Sequence, residues 1–199
     1  LIISLVMLPM WFLILVIIGP LIYFEDKGPI FYNAPRLGKD GKIFIMYKFR
    51  SMKVNAPDIK NEDGSTFNSE DDPRLTRIGK IIRKTSLDET PQLLNIIKGD
   101  MSIIGPRPDL PEHRELYEGN EERKLEVRPG ITGYNQAYYR NALPWKERIQ
   151  NDIYYIDNMS FWFDIKIFFI TIVSVLKCED IYVKTKKDSK AEKKSSVGA

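Results

Sequence analysis

The first 24 residues, Leu1 to Phe24, carry no charged side chain, and that run restricts the fold more than any other feature of the chain. As a helix it would extend about 36 Å at about 1.5 Å per residue, enough for the hydrocarbon core of a bilayer. A transmembrane helix is the simplest reading. Pro9 in the middle and Pro20 near the end each remove a backbone donor and disfavour straight continuation. The sequence therefore also predicts a kinked segment, helix-break-helix, that enters the membrane and returns. A cleaved signal peptide suits the run less well, because it is long and no small-residue cleavage site precedes Glu25. The chain opens on Leu1 already inside the run, so further sequence is expected before it.

Beyond this segment the composition supports one folded domain. With 199 residues, 43% hydrophobic and 12% aromatic, there is ample apolar surface for a core. The net charge of +3 is unevenly placed. From Lys184 to Ala199 six lysines face only Asp188 and Glu192, so the rest of the chain lies near −1. That distribution argues against a nucleic-acid-binding face. Cys178 and His113 are each the sole residue of their type. An internal disulfide framework, a multi-cysteine metal site and a two-histidine mechanism are thereby excluded, and His113 is read as a surface residue. The chain holds no P-loop, no G-x-G-x-x-G, no G-x-S-x-G and no internal repeat.

Ile30-Phe31-Tyr32 and Ile43 to Phe49 flank a turn with Gly38, Asp40 and Gly41, which predicts a β-hairpin, with Lys48 and Arg50 closing its second strand. Residues 54–73 are polar and acidic and read as a loop, without EF-hand spacing. Ile78 to Lys84 reads as a short basic helix, and Glu112 to Val127 as a charged surface helix. Arg128 to Gly133 is turn-rich, and Gln136 to Asn141 offers polar and aromatic groups with no room for a regular helix, as a binding loop would. Trp145, Ile149, Ile153 and Ile156 form the stripe of an amphipathic helix. Phe161 to Leu176 is richer in apolar residues but contains Asp164 and Lys166; an interfacial helix and a buried core helix suit it equally. The basic tail from Lys184 is expected to be disordered.

Chemistry concentrates in Ser86-Leu87-Asp88-Glu89-Thr90-Pro91-Gln92. Leu93, Leu94, Ile96 and Ile97 recur at helical spacing, Lys98 suits the C-terminal end and Gly99 can stop the helix. Its start is either a capping box from Ser86 to Glu89 or an N-cap at Thr90 before Pro91. Both choices put Asp88 and Glu89 within a turn of a helix N-terminus. Arg74, Arg77, Lys80, Arg83 and Lys84 precede them with no acid from residue 74 to 87, and Gly105-Pro106-Arg107-Pro108 adds a guanidinium on a stiff turn. Two carboxylates among cations suit a phosphate substrate bound with a divalent metal.

Tyr47-Lys48-Phe49-Arg50-Ser51-Met52, Asp72 to Lys80, Ser86 to Leu93, Lys98 to Pro108 and Arg128 to Gly133, in that order, closely resemble the bacterial sugar transferase family of small monotopic phosphoglycosyl transferases. The resemblance implies an α+β, mostly helical fold. Residues 1–24 would form a re-entrant membrane hairpin centred on Leu8-Pro9, and residues 25–183 a cytoplasmic catalytic domain with a small β-hairpin and interfacial amphipathic helices, with 184–199 as the tail. It implies transfer of a sugar 1-phosphate from a UDP-sugar to polyprenyl (undecaprenyl) phosphate at the bacterial inner membrane, with UMP released and Mg2+ required. Asp88 would be the nucleophile and Glu89 its partner, both near the metal. Lys48, Arg83, Arg107, Pro108, Arg140 and Asp164 fall on family positions that meet substrate or phosphate. Membrane phospholipid is a further expected partner, and a homodimer is compatible with the pattern. Two departures stand out: Tyr138-Tyr139 replace a small-residue turn before Arg140-Asn141, and Thr90 stands where Leu is frequent. A Mg2+-dependent phosphohydrolase of nucleotide sugars and a non-catalytic membrane scaffold are the competing functions.

Overall fold

A computed structural model of the chain describes residues 2–60, 67, 69, 71–140 and 142–177. The expected tail, Asn141 and Cys178 lie outside the described residues. The uncharged run forms one continuous helix, α1 (Ile2–Asp26), with Pro9 and Pro20 inside it. The expected helix-break-helix is thus not an interruption of the helix. Each proline deletes one donor, and the surrounding i to i−4 bonds keep the turns together. Ser4, Trp11, Ile18 and Ile22 are buried, with Leu8 and Leu15 half-buried between them, so one narrow stripe faces the protein. Among the described residues α1 is the one helix long and apolar enough to cross a bilayer, and only 22% of that span is buried.

The stripe packs through Ile18 and Ile22 against Phe49 and Ile82, with Ile30, Phe31, Ile78 and Leu87 around them. Charged groups then fix the exit of α1. The Asp26 carboxylate accepts from both terminal nitrogens of Arg50 at 2.6 Å, and Glu25 accepts from the backbone N–H groups of Arg77 (2.6 Å) and Ile78 (3.1 Å). Those two amides open helix α2 (Arg77–Lys84), whose remaining cap is Thr76 Oγ1 accepting from Gly79 N–H at 2.8 Å. A membrane-type helix is thereby joined rigidly to the basic helix that precedes the acid pair.

The hairpin forms as expected but with a shifted first strand. Strand β1 (Ala34–Leu37) pairs antiparallel with β2 (Ile43–Met46), while the predicted Ile30-Phe31-Tyr32 contributes only a bridge from Phe31 to Phe49. Pro35 is accepted in a strand of a two-stranded sheet because half its ladder needs no donor. Asp40 and Gly41 both take positive φ in the connecting turn. A second pair, β3 (Ser102–Ile104) and β4 (Gly130–Thr132), is parallel, and β4 lies within the turn-rich segment Arg128 to Gly133. Helix α3 (Gln92–Lys98) follows the acid pair and ends at Gly99 in the left-handed region.

Residues 112–127 depart from the expected surface helix. They form two 3-10 segments, Pro111–Leu116 and Glu121–Glu126, and His113, Glu121, Lys124 and Leu125 are buried. His113 packs edge-on against Trp145 with ring centroids 4.8 Å apart, so it is a core histidine. The expected binding loop contains a short helix, α4 (Tyr134–Tyr138), held by aromatic contacts of Tyr134 with Tyr154 and Phe163. Helix α5 (Trp145–Asp157) buries Trp145, Ile149 and Ile153 as its spacing predicts. Helix α6 (Phe161–Lys177) buries only Ile167 and leaves Phe161, Trp162, Phe169, Val173 and Leu176 exposed, which favours the interfacial reading over a core helix.

Candidate active site

Asp88 and Glu89 do not sit in the first turn of α3. They occupy a separate 3-10 turn, Leu87–Glu89, entered through Ser86 at φ +58° and followed by Pro91. Neither predicted cap forms: the Ser86 side chain caps nothing, and Thr90 Oγ1 donates to Leu87 O. The setting of the pair is therefore made by side chains from other segments, more than by a helix dipole.

Lys48 supplies the first. The end of β2 and the residue after it, just before Lys48, are pinned by Asn95, whose Oδ1 accepts from Tyr47 N–H (2.9 Å) and whose Nδ2 donates to Ile45 O (2.7 Å). Tyr32 N–H donates to Lys48 O, and Phe49 N–H donates to Asp88 O at 2.9 Å. With the backbone fixed, Lys48 Nζ lies 2.6 Å from Asp88 Oδ2 and 3.4 Å from Glu89 Oε1. Arg107 supplies the second, with Nη2 3.0 Å from Glu89 Oε1. Gly105 N–H donates to Thr132 O and Gly130 N–H to Pro106 O, each at 2.9 Å, which locks the Gly105 to Pro108 turn onto β4. A side chain at Gly105 would place its Cβ 2.5 Å from Arg128 O, so the close approach requires glycine.

Behind Arg107 lies a buried polar network. Asp109 receives Lys124 Nζ (2.6 Å) and Tyr117 Oη (2.8 Å) at Oδ2 and Trp145 Nε1 (3.3 Å) at Oδ1. Lys124 also reaches Asp152 Oδ2 at 3.1 Å. Leu37 N–H donates to Asp109 O, so β1 lies beside the Arg107 segment.

These environments separate the titrations. Burial pushes Asp88 above the usual carboxylate range; Lys48 opposes that push and the charge of Glu89 adds to it. Burial acts the same way on Glu89, but Arg107 and Lys48 together outweigh it and hold Glu89 at about 2. The structure thus offers a carboxylate kept ionised beside one whose charge depends on its cationic neighbours.

Of the residues expected at the site, Asp88, Glu89, Lys48 and Arg107 are in direct contact. Arg83 is felt by Asp88 as a charge, and Pro108 stiffens the turn beyond Arg107. Arg140 reaches the turn through Ser86, at 3.2 Å. Asp164 is elsewhere: it accepts from Tyr155 Oη at 2.8 Å in the first turn of α6. Leu8 and Pro9 lie on α1, half-buried and exposed. Three contributors were not singled out from sequence. Asn95 is a polar residue inside an apolar helical stripe, a readable signal of a buried bond. Asp109 shows only as an acid two residues after Arg107. Arg36 is half-buried, and burial and then the nearby Arg107 lower its basicity.

Among the described residues no three His, Cys, Asp or Glu side chains gather as a ready cage. The ion pairs engage Asp88 Oδ2 and Glu89 Oε1, leaving Oδ1 and Oε2 outside them. Two carboxylate oxygens fit Mg2+, which is commonly held by one or two carboxylates and completed by water and substrate phosphate.

Comparison with known proteins bears on this arrangement. A family model described as bacterial sugar transferase matches residues 1–178. The chain is 45% identical over 160 residues to the galactosyl transferase CpsE of Streptococcus agalactiae, covering 76% of this chain and 36% of that protein. It is 44% identical over 154 residues to the uncharacterized sugar transferase EpsL of Bacillus subtilis, covering 77% of this chain and 73% of that one. It is 38% identical over 187 residues to the undecaprenyl-phosphate galactose phosphotransferase of Salmonella typhimurium, covering 85% and 39%. The chain therefore spans little more than a third of two of these relatives.

Proposed function

Because this chain belongs to the bacterial sugar transferase family, we propose that it transfers a sugar 1-phosphate from a UDP-sugar to undecaprenyl phosphate at the cytoplasmic face of the inner membrane. The observation that carries the reading is the buried Asp88 beside Lys48 at 2.6 Å, with Glu89 held ionised by Arg107 at 3.0 Å.

A carboxylate oxygen of Asp88 attacks the phosphorus that bears the sugar, and the bond from that phosphorus to the bridging oxygen breaks. UMP leaves with the electron pair as a phosphate and needs no proton. An oxygen of the lipid phosphate then attacks the same phosphorus, expels the Asp88 carboxylate and yields the lipid diphosphate sugar. Lys48 offsets the cost of ionising a buried Asp88, and Arg107 and Arg83 place positive charge where phosphoryl oxygens must lie. When Mg2+ is bound, Asp88 and Glu89 would hold it and it would neutralise phosphoryl charge. Glu89, ionised throughout the working pH range, keeps Lys48 and Arg107 aimed at the site.

The exposed apolar sides of α1 and α6 support a membrane seat. A bend at Pro9 without loss of helical turns would let α1 enter and leave on one face, the re-entrant course. The test is UMP release from UDP-galactose and other UDP-sugars with and without undecaprenyl phosphate, together with mass analysis of the protein when acceptor is withheld. A phosphosugar adduct on Asp88 is expected, and Asp88→Asn should abolish it and lower kcat by at least about a thousandfold. Multiple turnover without acceptor would instead identify a phosphohydrolase.

A further inference from the structure

We propose that Arg140 is a strut between α6 and the turn that carries Asp88, which makes Arg140, Ser86 and Asn135 positioning residues; the proposal rests on the transferase reading for its kinetic consequence. One arm of the guanidinium, Nη1, donates to Ser174 O at 3.1 Å, and the other, Nη2, donates to Ser86 Oγ at 3.2 Å. Ser86 is the residue through which the chain enters the Asp88-Glu89 turn.

Both ends of the strut are held in unusual backbone. Ser86 has φ +58° and Arg140 φ +47°, a region that L side chains seldom adopt. Arg140 is kept there by Asn135, whose backbone O accepts from Arg140 N–H (3.0 Å) and whose Nδ2 donates to Arg140 O (3.2 Å). Asn135 is itself buried, and its Oδ1 accepts from Asn151 Nδ2 on α5 at 3.0 Å. The receiving end on α6 is chemically matched. Ser174 lies in the last described turn of α6, and its carbonyl oxygen accepts the guanidinium proton at 3.1 Å. A planar fork with separately directed N–H groups serves both acceptors from two different nitrogens, whereas a lysine has a single nitrogen to offer.

The strut turns a property of α6 into a property of the nucleophile. Phe169, Val173 and Leu176, on the same helix as the Ser174 carbonyl, are 51 to 77% exposed. The depth at which α6 settles in an apolar surface sets where Ser174 O lies, and Arg140 carries that position to Ser86.

Ser86 provides a test that separates the contact from the backbone. Ser86→Gly removes the hydroxyl while accommodating φ +58° without penalty, and Ser86→Asn tolerates the same φ and restores a side-chain oxygen. With the full chain in phospholipid vesicles, undecaprenyl phosphate as acceptor and UDP-galactose as first donor, Ser86→Gly should lower kcat about tenfold. Its donor KM should stay within twofold and its melting temperature unchanged or higher, and Ser86→Asn should recover most of the rate. Arg140→Lys should reproduce the kcat loss. A Ser86→Gly protein with wild-type kcat, a loss that Ser86→Asn does not recover, or an Arg140→Lys effect confined to donor KM would each overturn the strut. If the wild-type protein releases UMP from no donor, the transferase reading fails separately. The strut is then read by amide exchange at residues 86–90, which must quicken in Ser86→Gly.

Discussion

As the proposed nucleophile Asp88 must be ionised, yet its burial favours the protonated form and Lys48 works against that preference. Activity should therefore rise with pH through a carboxyl whose titration lies above its ordinary range, and Lys48→Gln should move that acidic limb to higher pH while lowering kcat. A pH series of kcat/KM reads both. Glu89 has the opposite sign. Its titration near 2 depends chiefly on Arg107, so Arg107→Ala should bring it up toward the ordinary 4.5, visible by NMR titration of the carboxyl carbon. Asp152 offers a stability test. Burial raises it from 3.8 to about 6, so the folded state binds its proton more tightly than the unfolded state does. That contribution is fully present below about pH 4 and is lost as pH climbs to about 6, up to about 3 kcal/mol. Asp152→Asn should flatten the melting temperature over that window relative to the wild-type protein.

At the scale of elements, the joint between α1 and the rest of the fold is a paired carboxylate and guanidinium, with the Arg50 side chain 6% exposed. Removing one partner leaves the other charge without its counterion. Asp26→Asn should cost about 3 kcal/mol and lower the melting temperature by roughly 6 to 12 °C in detergent. Elements made by a single stripe were legible in the sequence: α2, α5 and α6 stand close to where spacing put them. The misses have a common cause. The buried 3-10 segments around His113 and Lys124 depend on Asp109, Lys124 and Asp152, which are distant in sequence, so the charge pattern alone read as a solvated face. Helix α4 similarly exists because Tyr134 packs on Tyr154 and Phe163, contacts that no local periodicity encodes. The local setting of the acid pair was not legible, because a left-handed Ser86 is invisible without the partners that hold it.

For the whole molecule, the exposed apolar side chains fall on α1 and α6, with smaller patches such as Ile43 and Ile45 on β2. Single cysteines placed at Val6 and at Lys27, treated with a membrane-impermeant thiol reagent in sealed vesicles, report whether the two ends of α1 share a side. Labelling from the same side is expected for the re-entrant course; labelling from opposite sides refutes it. The narrow stripe by which α1 meets the domain also has a consequence for the order of assembly. Ile18 and Ile22 leave the ribosome before Phe49, Ile82 and Leu87 exist to cover them. Ile82 follows Ile22 by about 60 residues, roughly 3 to 12 s of synthesis at ordinary rates. During that interval the stripe has no partner within the chain; with α1 seated in lipid as proposed, lipid shelters it, and the residues that follow fold onto a helix already in place.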